Sequence, residues 1–363
     1  MAPNVAIERV VEAPLRVDPA AIEGEFNRIW KETSLAGYDE SAVRLRVVNF
    51  VAVGADDAAT ERFERVMNVL PEHHPCRGVL VTMTAGASGI ESSIYAHCLR
   101  VDGGSRHLCA EVVELRGGPG DEAALASVVL NLLVPELPVA VWLLAPFEPE
   151  TRLVADLLDA ADNVFVDSAG VPEAMSHLER LARAAADHEV ALCDLAWSRY
   201  DTWRALVAQL FDGPDGAQRL DHVESISVVG GEREASTAAL LIAGWLVAQL
   251  ELQLADAERA GGSLRVTLYD GSRGVRLGVV PDTRHNLELA SVTIRADGVD
   301  FVVQYHAESG HMHVREEWPD GPVHRTLAPT ATDDASVFAQ ALDDSSGPQL
   351  YARALAAVLA LLR

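Results

Sequence analysis

The alternation between residues 120 and 170 limits this chain to a small set of folds. It reads as helix, short strand, helix, short strand and turn. Over 121–133 the residues Ala124, Leu125, Val128, Val129, Leu132 and Leu133 fall on one helical face. Pro135 and Pro138 stop that helix, and 139–144 is a near-continuous apolar run, the pattern of a strand covered on both sides. Residues 151–161 repeat the helical period, and 163–166 form a second apolar run ending in Asp167, Ser168, Ala169 and Gly170. Such alternation predicts parallel strands joined by crossover helices. It defines a scaffold and names no function.

The flanking sequence extends this pattern and then changes it. Ile22, Phe26 and Trp30 predict a helix over 19–31, a strand follows at 44–53, and 56–70 is a helix with Phe63, Val66, Met67 and Leu70 inward. Strand patterns recur at 78–84, 91–101 and 107–115. Helices are predicted from Pro172, over 195–211 and over 236–252, with a strand at 222–229. From Gly262 the period becomes two, and 263–269, 274–280, 286–294, 299–305 and 311–318 read as five strands of a meander. Residues 337–342 and 348–362 are again helical. The fold class is therefore α/β (α+β), with an N-terminal mixed-sheet domain over 1–215 and a C-terminal antiparallel-sheet domain packed against helices over 216–363. The turn cluster at 212–216 sets that boundary.

Composition narrows the function classes. A chain of 363 residues exceeds what one core usually organises, and 49% hydrophobic with 23% charged residues suits a globular protein. A net charge of -25 repels nucleic acid and anionic membrane, so neither is an expected partner. The apolar run at 238–250 is too short for a hydrocarbon core. Met1-Ala2-Pro3-Asn4 lacks the basic head of a secretory signal, and four cysteines make no disulfide framework. A cytoplasmic protein with reduced thiols is expected.

No dinucleotide fingerprint, phosphate loop, nucleophile elbow or zinc-protease motif is present. The glycines at 117–120 open a helix and could face a phosphate, or simply form a loop. His73, His74, Cys76 and Arg77 form the densest polar cluster, suited to an anion through the arginine fork. His97, Cys98, His107 and Cys109 lie on two predicted hairpin strands, leaving zinc, a Cys98–Cys109 redox pair or packed thiols open. His306, Glu308, His311 and His313 read as a metal site or a solvent-facing group. Trp197, Trp203 and Trp245 sit at core spacing. Asp167 and Ser168 follow a strand end, where open α/β sheets place ligands. No nucleophile, base and orienting group assemble, so no catalytic residue, metal or cofactor is assigned.

Several of these stretches together resemble the OpcA family of glucose-6-phosphate dehydrogenase assembly or subunit proteins. The resemblance runs through His74-Pro75-Cys76-Arg77, the strand from Ser92 to Cys98, Leu125 to Asn131, and L-V-P-E-L-P-V from Leu133 to Val139 followed by Trp142. It continues in Asp167-Ser168, D-L-A-W from Asp194 to Trp197, Trp203-Arg204, and A-G-W-L from Ala243 to Leu246. It implies a non-catalytic partner that binds glucose-6-phosphate dehydrogenase, favours its active oligomer and raises its response to substrate in the oxidative pentose phosphate pathway. In the cyanobacterial branch thiols are implicated in redox control, and no cysteine is carried over here. His74, Arg77, Asp167, Ser168, Trp197 and Arg204 are the expected contact or pocket residues, with Cys98 and Cys109 as redox candidates. A sugar-phosphate-binding sensor is the alternative, with a small sugar phosphate as effector.

Overall fold

The computed structural model describes all residues except 1–6, 10–13, 36–41, 44–45, 101–106, 145–150, 172, 214–215, 272, 319–320, 329–332, 345–346 and 363. Pro172, expected at a helix start, lies outside the described residues. The chain divides into two compact units that interleave in sequence. One comprises Met1–Asp167, Ala185–Cys193 and Asp333–Asp343, and the other Ser168–Ala184, Asp194–Thr332 and Asp344–Arg363. The boundary expected at 215 therefore falls inside the second unit.

The first sheet contains β1 (Ile7–Arg9), β2 (Leu15–Val17), β3 (Ala42–Val43), β4 (Val48–Gly54), β5 (Cys76–Met83), β6 (Glu91–Arg100), β7 (His107–Gly117), β8 (Val139–Leu143), β9 (Asn163–Val166) and β10 (Ala191–Asp194). Its main path is β1-β6-β7-β5-β4-β8-β9-β10, with β2 on β6 and β3 on β7. β4 pairs in parallel with both β5 and β8, β5 with β7, and β8 with β9. From β4 the parallel strands thus run outward first one way, through β5 and β7, and then the other, through β8 and β9, with β10 next in the order. This is the doubly wound arrangement. Between β5 and β7 the usual crossover helix is replaced by β6, which pairs antiparallel with β7.

β4, β5 and β8 are buried along nearly their whole length, which explains their unbroken apolar runs. The helix Asp57–Met67 directs Ala59, Phe63, Val66 and Met67 inward. Phe338, on the helix Asp334–Asp343, packs against Phe50, Trp142 and Phe165, with ring centroids 4.9, 5.3 and 4.2 Å apart. A late helix completes a core built more than 170 residues earlier.

The second unit carries β11 (Val223–Val229), β12 (Gln253–Ala260), β13 (Ser263–Asp270), β14 (Arg273–Val280), β15 (Ser291–Ala296), β16 (Val299–His306), β17 (His311–Trp318) and β18 (Gly321–Leu327). Its order is β12-β13-β14-β11-β15-β16-β17-β18. All neighbours are antiparallel except β11 and β14. The five expected strands are present, but β11 is wedged between the second and third of them. Period-two patterning reports which face a residue takes, and it is silent on which strand lies alongside. Both edge strands, β12 and β18, are exposed along their length, so neither shows the alternation of a half-buried strand. β12 is Ala/Asp/Glu/Arg-rich and β18 carries Pro322, compositions that suit edges.

The helix Thr237–Gln249 is buried nearly all round. It packs on the helix Gly347–Leu361 so closely that a Cβ on Gly244 would lie 2.4 Å from the Ala354 carbonyl oxygen. Among the described residues no helix is long and apolar enough to cross a membrane.

Candidate functional site

The doubly wound unit places its ligand-binding crevice outside the carboxyl ends of β4 and β8, where the strand order reverses. Dinucleotides use the first βα turn there, with glycines that let a pyrophosphate reach a helix N-terminus. In this chain the turn is Val53-Gly54-Ala55-Asp56-Asp57. Asp56 caps the helix, its carboxylate accepting the Ala59 N–H at 2.9 Å, and Asp57 adds a second carboxylate in the first turn. A Cβ on Gly54 would stand 2.3 Å from the Ala59 Cβ, so strand and helix already meet at the position a phosphate would need. These residues do not fit a dinucleotide: the anion site is filled by the protein's own anion and flanked by another. Asp56→Ala is expected to cost about 1 kcal/mol of stability through the lost cap, read by urea unfolding.

Further along the same carboxyl edge, Asp167 is held by Arg62, whose Nη2 donates to it at 2.9 Å while Nε donates to Asp334 at 2.9 Å. The Arg62 guanidinium also lies 5.3 Å from the Trp142 ring centroid. Asp167 is thus ion-paired within the first unit.

Arg77 is 2% exposed, so it is an interior cation and not a surface contact. Its Nε and Nη2 donate to Glu111 at 2.9 and 2.7 Å, Nη1 donates to the Leu132 carbonyl at 3.0 Å, and Glu23 pairs with the same guanidinium. Glu111 also accepts from Trp30 Nε1 at 2.7 Å and pairs with Arg46. Burial pushes the Glu111 carboxyl up, but Arg77, Arg46 and the hydrogen bonds outweigh it and hold it below its ordinary value.

The cluster His73, His74, Cys76 and Arg77 consequently forms no anion site. Cys76 is buried, its Sγ 4.0 Å from Met67 Sδ, and burial pushes its thiol up to about 12. His74 Nε2 lies 3.2 Å from Asp343 Oδ1.

Ser168, Trp197 and Arg204 are brought together in the second unit, around a residue not singled out from the sequence. Asp194 is 1% exposed and ends β10. Its carboxylate accepts the Ser168 hydroxyl at 2.5 Å, the Ser168 N–H at 3.1 Å, the Ala196 N–H at 2.9 Å and the Tyr351 hydroxyl at 3.1 Å. The third of these caps the helix Leu195–Arg199, which carries Trp197. Trp197 meets Tyr351 edge-on at 5.9 Å. The Arg204 guanidinium lies 3.6 Å from the Trp197 ring centroid and donates to the Trp197 carbonyl at 2.6 Å and to Asp201 at 3.1 Å. Burial pulls the Arg204 guanidinium down to about 10, so it stays charged at neutral pH. The signal for Asp194 was present as an acidic residue between a strand and the helical A-W-S-R, the position of an N-cap.

The remaining candidates resolve as follows. The Gly118 N–H is taken by Asp121 at 2.9 Å, so the glycine loop satisfies itself. Cys98 stands opposite Cys109 in the β6–β7 register, and Cys109 is buried and disulfide-bonded, contrary to the reduced thiols expected from the sequence, while Cys76 and Cys193 are buried outside any disulfide. The side chains of His97, Cys98 and His107 lie outside the described ones. His306 and His313 rings approach to 4.1 Å, and no group of three or more His, Cys, Asp or Glu able to hold a metal ion occurs among the described residues. Trp197 and Trp203 are buried, and Trp245 is half-buried.

Fold and site together define a two-unit α/β protein whose doubly wound sheet carries two carboxylates, Asp56 and Asp57, at the helix N-terminus after β4. Residues 67–183 match the family model described as glucose-6-phosphate dehydrogenase subunit N-terminal domain, and 190–355 match that of the C-terminal domain. The chain belongs to the OpcA family. Among curated relatives, the OxPP cycle protein OpcA of Nostoc punctiforme is 28% identical over 205 residues, 56% of this chain and 44% of that protein. That of Synechococcus elongatus is 29% identical over 234 residues, 64% of this chain and 51% of that one. The chain spans about half the length of the curated relatives it matches. Among solved structures, an aldose-aldose oxidoreductase from Caulobacter crescentus aligns at TM-score 0.47 and 12% identity, covering 88% of this chain and 97% of that one. An oxidoreductase domain protein from Kribbella flavida aligns at TM-score 0.48 and 10% identity, over 87% and 96% of the two chains.

Proposed function

We propose that this protein is a non-catalytic partner of glucose-6-phosphate dehydrogenase that favours the enzyme's active assembly in the oxidative pentose phosphate pathway. The observation that carries the reading is the match of both subunit domain models, in order, across 67–183 and 190–355. The carboxylates at the helix N-terminus after β4 support it, since they oppose the cofactor such a sheet would otherwise hold. Activation follows if this chain binds the active enzyme conformation better than the inactive one. A preference of about 1.4 kcal/mol shifts that equilibrium about tenfold.

Arg204 acts here as a positioning residue that fixes Trp197 and the helix around it. The test is co-purification with the dehydrogenase of the same organism, followed by enzyme kinetics with and without this chain. Addition is expected to raise the enzyme's kcat/KM about tenfold at saturation. Loss of association across a wide concentration range, or turnover of a substrate by this chain alone, overturns the proposal. An Arg204→Gln variant that is folded and activates normally removes that residue from the contact region.

A further inference from the structure

The replacement of a crossover helix by β6 leaves part of one sheet face in the first unit uncovered. On that face lies a cavity of about 190 Å³. Two cross-strand rows make its floor. In the first, Arg16 of β2, Ser93 of β6, Glu114 of β7 and Leu80 of β5 stand side by side. In the second, Glu91 of β6 is followed by Arg116 of β7 and Thr82 of β5. Thr60, on the helix Asp57–Met67, supplies a wall.

This composition is unlike the apolar runs of β4 and β8. Parallel strands under helices carry apolar residues, and here charged and hydroxyl groups converge on a hollow instead. Their own bonding leaves capacity unused. The Ser93 hydroxyl donates to Glu114 at 2.9 Å, and Arg16 comes no nearer than 4.0 Å to Glu91. Arg116 and the Thr82 hydroxyl have no side-chain partner among the described residues, although Thr82 is only 6% exposed.

The geometry points to a binding site for a small polyhydroxylated anion, a sugar phosphate in chemical class. Arg116 and Arg16 receive the phosphate, for which a guanidinium fork is suited. Glu114, Ser93 and Thr82 take sugar hydroxyls, each of which needs both a donor and an acceptor nearby. The volume equals that of about six water molecules in the liquid, so the ligand is compact and displaces ordered water. Leu80 gives the floor one apolar patch against which a sugar ring can lie.

The test is calorimetric titration of the full chain, with no dehydrogenase present, using glucose 6-phosphate, glucose and inorganic phosphate as separate probes. Its outcome is therefore independent of the assembly role proposed above. Glucose 6-phosphate is expected to bind at least about tenfold more tightly than either fragment. Arg116→Gln is expected to weaken it about tenfold or more, and Thr82→Val several-fold, with circular dichroism unchanged. Both positions are needed because Arg116 is exposed and cannot unfold the sheet, whereas Thr82 reports the interior of the hollow. Absence of heat with glucose 6-phosphate overturns the inference, and so does unaltered binding by Arg116→Gln. Equal binding of inorganic phosphate overturns the sugar-recognising part.

Discussion

Replacing Arg77 with methionine is expected to destabilise the first unit by about 3–5 kcal/mol, the range for breaking one side of a buried ion pair. Glu111 is 1% exposed and would keep its charge while losing two hydrogen bonds from that arginine. The Leu132 carbonyl would lose its donor as well. A midpoint shift of roughly 10 °C in thermal unfolding is the corresponding observable. The sign with pH is a second check. With Arg77 present, the Glu111 pKa lies below its unfolded value, so its contribution is complete above about pH 4.3 and is lost as pH falls through the lower folded value. Without Arg77, burial persists with less to oppose it, and protonation relieves the uncompensated charge. The stability gap between parent and variant should therefore narrow as pH falls from about 7 to about 3. A gap of constant size, or a loss below about 1 kcal/mol, shows that the arginine is not what holds this interior. The double variant Arg77→Met/Glu111→Gln should lose less than the sum of the singles, because each removes the other's reason for cost.

The same residue shows what the sequence could and could not disclose. His73, His74, Cys76 and Arg77 read as a polar cluster suited to an anion because each of these four side chains carries polar chemistry. β5 is buried on both faces, so it shows no alternation from which an inward arginine could be read. Its partner Glu111 is 34 residues away on β7, beyond the reach of any local period. The helical faces fared differently: Phe63, Val66 and Met67 are buried as their spacing predicted. So are Leu125, Val129 and Leu132, while Val128 and Leu133 are half-buried and Ala124, expected on the same face, is exposed. Amphipathic period is local information, and it survives folding. Strand neighbours are not local: nothing in 222–229 tells that β11 will lie between β14 and β15. Nor does anything in 334–343 tell that Phe338 will cross back to Phe50 and Trp142.

Asp194 marks the other limit, a residue legible as a helix cap but not as the centre of a network. Removing its carboxylate is expected to cost the second unit about 3 kcal/mol or more. Asp194→Ala strips the acceptor from the Ser168 hydroxyl and N–H, the Ala196 N–H and the Tyr351 hydroxyl at once. Buried donors left without partners cost about 1–3 kcal/mol each, and the two hydroxyls can only partly recover by rotating. Asp194→Asn should lose less, since its carbonyl still serves the two N–H groups while its amide meets hydroxyls that can accept. Tyr351→Phe removes one donor and leaves the carboxylate its bonds from Ser168 and Ala196, so about 1 kcal/mol is expected. The order Ala worse than Asn, and Asn worse than Phe at 351, is what chemical denaturation followed by tryptophan emission should return. Trp197 sits one turn from the cap and against Tyr351, so its emission should respond to Asp194→Ala even under conditions where the chain remains folded. An alanine variant within about 1 kcal/mol of the parent means the four bonds are replaced by water, and Asp194 then cannot be the element that sets Ser168, Trp197 and Arg204 in place.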